Sequence, residues 1–227
     1  MSARRVFAAG LGVVALGWAA TDYRRWRALG PGGVPGNPLG WLVVTWLRLR
    51  KRDPLDTGGY PGPRAVGAQL SGPLPARRGT RPRIAPYPVP HRQLDQIPDR
   101  EFRANIAALL ESTVAERDDV LTFRRSRLEK HNQAIFLRDA PEWAIPGDGE
   151  IAHLHPVDGS MHVTLSPADA AACVSAGWGE WHPLAGVLHR LPDTYLLVYP
   201  PRDSYEMAIA ARILHAAVGH ALAQSGR

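Results

Sequence analysis

Apolar positions recur at two periods along this chain, and the periods divide it. Phe102, Ile106, Leu109, Leu110 and Val114 follow helical spacing, with Asp99 after Pro98 as N-cap. Residues 120–125 and 133–138 read as short strands. Residues 151–155 and 161–165 alternate apolar and polar, and Pro156-Val157-Asp158-Gly159-Ser160 between them is turn chemistry, so a β-hairpin is predicted. Ser166-Pro167-Ala168-Asp169 starts a helix that Gly177 ends. Residues 194–199 form a further strand, and Asp203 and Glu206 cap a last helix with Ala210, Ile213, Leu214, Ala217 and Val218 on its apolar face. The expected fold class is α+β: a small antiparallel sheet with a histidine-bearing hairpin, packed by two or three helices.

The N-terminal part follows neither period. Residues 6–20 are uncharged, with Arg4 and Arg5 before them and Arg24, Arg25 and Arg27 after. A full membrane span takes ~20 residues, and Trp18 and Tyr23 are interfacial anchors that would extend this shorter run. The expectation is an N-terminal membrane-anchor helix over residues 1–22. The competing readings are a signal peptide, whose cleavage pattern is poor because Trp18 precedes a cut after Ala20, or a buried helix. More positive charge follows the run than precedes it, so the expected location is a single-pass membrane protein with its C-terminal domain cytoplasmic. Residues 39–49, with Trp41 and Trp46, end in Arg48, Arg50, Lys51 and Arg52 and read either as an interfacial helix or as a helix packed on the main domain. Residues 31–90 hold 12 of the 21 prolines, which suits a linker or a wrapping arm. Arg77, Arg78, Arg81 and Arg83 near its end would bind anionic lipid or the acidic domain, or stand in solvent. The division is therefore 1–22 anchor, 23–90 arm and 91–227 domain.

Charge sharpens that division. The net charge is +6, but residues 1–90 carry 14 Lys/Arg against 3 Asp/Glu, and residues 91–227 carry 13 against 18. A folded part of net negative charge argues against nucleic acid as its partner. The one cysteine, Cys173, excludes an internal disulfide and a Cys-rich zinc site.

No glycine-rich phosphate loop, dinucleotide fingerprint or Gly-x-Ser-x-Gly elbow is present. What remains is histidine, the usual general base near neutral pH. His153 and His155, two apart on a strand, share a face; His162 returns on the partner strand, and His182 follows. These four are the candidate catalytic residues. They also suit a metal such as Zn²⁺ or Fe²⁺, with Glu150 or Asp158 as a further ligand, or a half-buried hydrogen-bonded sheet with no chemistry. Trp178 and Trp181, beside Gly177 and Gly179 in a loop, either stack on a flat conjugated ligand or plug the core. Arg202, after Pro200-Pro201, either holds a substrate oxyanion or pairs with Glu206 or Asp203.

These residues carry a resemblance. Glu150-Ile151-Ala152-His153-Leu154-His155, Met161-His162, Gly177-Trp178-Gly179 and His182-Pro183-Leu184-Ala185-Gly186 resemble the fungal luciferases, enzymes that oxidise 3-hydroxyhispidin with molecular oxygen, and the wider luciferase-domain group. Asp22-Tyr23, Leu29-Gly30-Pro31, Gly79-Thr80-Arg81-Pro82, Ala134-Ile135-Phe136-Leu137 and Pro201-Arg202-Asp203 fall in the same order. The turn 156–160 and Trp181 depart from the pattern. The resemblance implies an oxygenase acting at a membrane on a small enolic or phenolic molecule and O₂, without a metal or organic cofactor. His153 or His155 would be the base, Arg202 the clamp and Trp178 the lid, with Trp181, Glu150 and Asp158 also at the substrate. A metal is not expected, because no Asp or Glu lies at the tight spacing a facial triad needs. The alternatives are a metal-dependent enzyme using the same histidines and a non-catalytic binding module.

Overall fold

A computed structural model describes residues 3–56, 67–139, 149–188 and 191–226. Its elements are α1 (Ala3–Ala28), α2 (Pro38–Leu47), α3 (Arg100–Ala115), β1 (Leu121–Arg125), β2 (Gln133–Leu137), β3 (Glu150–Leu154), β4 (Met161–Thr164), α4 (Pro167–Ser175), β5 (Gly179–Trp181), β6 (Tyr195–Val198) and α5 (Ser204–Gln224). The caps are those the sequence predicts: Asp99, Ser166 and Asp203 each accept a backbone N–H three residues on. The strands form one antiparallel sheet in the order β1-β2-β3-β4-β6-β5.

Register explains what the sheet separates. Ile135, Ala152, Val163, Leu196 and Trp181 stand side by side across five strands. All are buried, and they belong to the main core with Ala170 and Cys173 of α4 and Ile213, Leu214 and Ala217 of α5. One residue along, the row reads Ala134, His153, His162, Leu197 and Glu180. Strand side chains alternate faces, so this second row belongs to the other side of the sheet. Both sides are buried, which is why the polar residues of the second row need partners.

His153 and His162 find theirs within the sheet, at Glu150 and the Leu196 carbonyl, and Glu180 meets His91 at the end of the proline-rich arm. Ile84 bridges Gln93, Ala85 donates to Arg92 and Leu94 donates to Arg83, closing a turn that presents His91, Arg92 and Gln93. The arm's arginines bind the domain instead of standing free. Arg77 pairs with Glu206, Arg78 with Asp203, and Arg81 donates to the carbonyls of Val174 and Gly179. Arg83 pairs with Asp95.

Strand β5 was expected as loop. Its pattern is unreadable because it has only three residues and all of them are buried, so no alternation shows. Gly179 belongs there because the carbonyl oxygen of Leu197 lies 2.5 Å from where a Cβ would stand. In the hairpin turn, Gly159 takes a φ of +77°, the conformation its lack of a side chain allows.

The membrane anchor is overturned. Among the described residues no helix is long and apolar enough to cross a membrane, so the single-pass assignment, and the orientation derived from it, fall. An apolar run of 15 residues makes about 22 Å of helix, short of a hydrocarbon layer of ~30 Å. Helix α1 instead continues to Ala28, and its last turns are built into a second core of Trp26, Val44, Ala85 and Tyr87. Asp22 is central there, accepting from Trp41 Nε1 (2.8 Å), Tyr87 Oη (2.9 Å) and Arg48 Nη1 (3.2 Å). Helix α2, which covers most of the run at 39–49, packs on this core through Val44 and Trp41, with Leu39 and Trp46 outside.

Burial alone would raise the Asp22 carboxyl, but hydrogen bonds from Trp41 and Tyr87 and the charge of Arg48 outweigh it and hold its pKa below 3.8. Its contribution is thus present above the unfolded value and lost as pH falls through the folded one. Asp22→Ala should cost about 1–3 kcal/mol. It should also remove the part of the acid-unfolding curve lying below about pH 4. Urea unfolding of both proteins at pH 7 and pH 3 checks this.

Candidate functional site

The hairpin builds the centre. His153 and His162 are directly opposed across β3 and β4, and His155 follows at the strand end. Ring centroids of the three lie 4.9–5.2 Å apart. His182 comes from the residue after β5, and its ring lies 5.4 Å from that of His162. The four histidines singled out in the sequence thus lie in one cluster. It misses the fifth: His91 of the arm, 5.4 Å from His162 and 5.1 Å from His182.

Each ring has a partner that fixes its hydrogens. His162 Nδ1 donates to the Leu196 carbonyl at 2.9 Å, leaving a lone pair on Nε2. His153 Nδ1 meets the Glu150 carboxylate, which Ser126 Oγ and the backbone N–H groups of Arg127 and Leu128 hold as an acceptor. His155 Nδ1 lies 2.9 Å from Ser160 Oγ, whose own hydrogen goes to Asp158 at 2.7 Å. Asp158 in turn accepts from the backbone of Ser160 and Gln93. His182 is reversed: its Nδ1 accepts from Leu184 N–H at 3.1 Å, so the neutral ring carries its hydrogen on Nε2. His91 Nε2 donates to Glu180 at 2.8 Å, and Glu180 also accepts from Tyr199 Oη. Among the described residues, the Nδ1 of His91 is buried without a hydrogen-bond partner.

A carboxylate that sequence spacing did not suggest enters from the β1–β2 loop. Glu129 pairs with Arg92 at 2.6 Å and accepts from Asn132 Nδ2 at 2.7 Å. It stands 3.3 Å from His155 Nε2 and 3.8 Å from His153 Nε2. The only signal available was polar residues in a turn between two strands, which is too common to single one out.

Burial sets the electrostatics. It pushes His155 down to about 4, against the pull of Glu129. Burial also drives His162 and His182 well below the usual histidine range, and the neighbouring imidazoles add to this. Tyr195, stacked on His162 with centroids 4.5 Å apart, is pushed well up by burial and by Glu150 and Glu129. Burial opposes the charge on Glu129, but His155, His153 and Arg92 outweigh it and hold the carboxyl below the carboxylate range. His155, His162 and His182 are thus uncharged imidazoles at neutral pH, beside the ionised carboxylate of Glu129.

A cavity of about 200 Å³ lies against this cluster, with His91, His162, His182, Glu129 and Tyr195 in its wall among apolar side chains such as Val34 and Leu191. His153 and His155 do not line it; they stand behind His162. Trp178 and Trp181 do not line it either. Both are core residues, and Trp178 Nε1 donates to the Pro75 carbonyl, so neither is a lid or a stacking platform. Arg202 is bound to Glu206 and to the Arg78 carbonyl, and so is not a clamp at this cavity. Glu150 and Asp158 orient histidines and do not reach the cavity wall.

Comparison with known proteins finds a family match over the histidine hairpin. The family model described as a luciferase domain matches residues 148–217, which hold β3, β4 and four of the five clustered histidines. The chain is 30% identical over 223 residues to a luciferase of Armillaria mellea, covering 92% of this chain and 83% of the relative. It is 30% identical over 222 residues to a luciferase of Armillaria ostoyae, covering 91% and 83%. It is 30% identical over 217 residues to a luciferase of Neonothopanus nambi, covering 88% and 79%. No solved structure matches. With similarity of that extent running through the arm as well as the histidine hairpin, the chain belongs to the luciferase-domain family.

Proposed function

We propose that this chain is a luciferase-like oxygenase that binds a small enolic or phenolic molecule beside the histidine cluster and oxidises it with O₂. One observation carries the reading. The cavity wall holds a histidine, His91, with an unpartnered Nδ1 and a carboxylate on its other nitrogen. That is the arrangement of a base held in one tautomer by an acidic orienting group. Removing the enol proton puts it on His91 Nδ1, and Glu180 stabilises the imidazolium that results. His182, with hydrogen on Nε2, donates to the oxygen that becomes negative. The ionised substrate is then electron-rich enough to reduce O₂ itself. The base is thus assigned to His91 in place of His153 or His155, which have no access to the cavity.

The family resemblance supplies the probe. With 3-hydroxyhispidin, the purified chain should consume O₂ in step with substrate loss, as read by an oxygen electrode and by substrate absorbance. Saturable binding of the pyrone without any O₂ uptake would make the chain a binding module and overturn the oxygenase reading.

A further inference from the structure

We propose that His153, His155, His162 and Glu129 form a binding site for one divalent first-row transition-metal ion.

The hydrogen-bond directions carry this. His153, His155 and His162 each use Nδ1 as donor, to Glu150, to Ser160 Oγ and to the Leu196 carbonyl. Each neutral ring therefore presents a bare lone pair on Nε2. The Nε2 atoms of His153 and His155 lie only 3.2 Å apart, with no hydrogen between them in that state. Two lone pairs facing at that distance repel unless a cation or a shared proton separates them. One ring nitrogen from each of the three histidines lies within 4.8 Å of the others.

Metal–nitrogen bonds of about 2.1 Å put neighbouring ligand atoms roughly 3.0–3.4 Å apart in octahedral or tetrahedral geometry. Two spacings fall in that range: His153 Nε2 to His155 Nε2 is 3.2 Å, and His155 Nε2 to Glu129 Oε1 is 3.3 Å. His153 Nε2 stands 3.8 Å from the other Glu129 oxygen, and His162 lies within 4.8 Å of the other two histidines. The outer partners that metal sites use are also in place. A carboxylate backs His153, a hydroxyl–carboxylate pair backs His155, a carbonyl backs His162, and Arg92 and Asn132 hold Glu129. All four candidate ligands are buried, as are the carboxylates of Glu150 and Asp158 behind them. Buried charge of one sign costs much unless compensated, and a dication supplies the compensation. Three imidazoles and one carboxylate suit Fe²⁺, Zn²⁺ and their neighbours over Mg²⁺ or Ca²⁺.

His91, His162 and His182 also lie together. They make the poorer set, because neutral His182 carries hydrogen on Nε2 and lends its Nδ1 to the Leu184 N–H. The sequence-based expectation of a metal-free protein rested on the lack of a nearby carboxylate; folding brings Glu129 in from the β1–β2 loop.

The test uses full-length protein without a His-tag. Metal content is measured as purified, then the stripped protein is titrated singly with Fe²⁺ under nitrogen, Zn²⁺ and Co²⁺. About one equivalent should bind per chain, and one equivalent should restore the thermal midpoint lost on chelation. Glu129→Gln and His155→Asn should each weaken binding at least tenfold. Ser160→Ala, which touches no metal, should weaken it about 10- to 100-fold. His91→Asn and His182→Asn should retain the ion. No saturable binding by wild type at millimolar metal would mean a shared proton only, and would overturn the site. Loss on His91→Asn or His182→Asn in place of His155→Asn would overturn the ligand set. Wild-type titration and Ser160→Ala decide the matter even if His155→Asn does not fold. Binding is read without substrate, so its failure and a failure of the oxygenase reading are separately visible.

Discussion

His91→Asn lowers kcat/KM for a 3-hydroxypyrone by about 10²–10⁴-fold while leaving the fold and substrate affinity near wild type. That is the range a positioned general base contributes. The side chain is 2% exposed and, among the described residues, has one nitrogen without a hydrogen-bond partner, so its loss is chemical before it is structural. Glu180→Gln keeps the hydrogen bond to His91 but removes the charge that stabilises the imidazolium. It should cost less than His91→Asn, and the double variant should cost no more than His91→Asn alone, because the two act as a unit. Equal, additive losses would mean that Glu180 serves the cavity separately from His91, through its contact with Tyr199.

The largest effect on stability should come from Arg92→Met. Arg92 and Glu129 are 5% and 6% exposed and 2.6 Å apart, and Arg92 also donates to the Pro31 carbonyl. Removing one partner of a buried ion pair strands the other charge, at a cost of about 3–5 kcal/mol. Adding Glu129→Gln to Arg92→Met should recover a large part of that loss. The measurement is urea unfolding in the presence of chelator, so that no bound cation can take over from the guanidinium. A loss under about 1 kcal/mol for Arg92→Met would show that the pair is solvated and that the arm does not seal the site.

The domain was more legible than the site. The caps at Asp99, Ser166 and Asp203 and the alternation through His153 and His162 are local signals, and local structure follows them. Strand β5 was hidden because its three residues are buried on both faces, where alternation vanishes. Residues 6–20 misled because apolarity over 15 residues looks alike in a short span and in a helix whose end is tied down by Asp22. The histidines of the hairpin were found by their period of two. His91, Arg92 and Glu129 were not, because they sit in turns and reach the cluster across 71, 70 and 33 residues of chain from His162, a distance no periodicity spans. Trp178 and Arg202 were assigned to substrate from their neighbours in sequence. The core and Glu206 claim them first, because burying a large ring and pairing a charge beside a helix start are both satisfied locally.

The central claim is that the histidine face takes a proton from a bound enol, and anaerobic absorbance of the enzyme–substrate complex tests it most directly. At a pH below the free pyrone's own pKa, wild-type protein mixed with 3-hydroxyhispidin under nitrogen should give the spectrum of the ionised pyrone. His91→Asn should bind the same molecule and give the spectrum of the neutral enol. If wild type binds the pyrone in its neutral form and still consumes O₂ when air is admitted, or if His91→Asn produces the ionised spectrum undiminished, then His91 is not the base and the account is wrong.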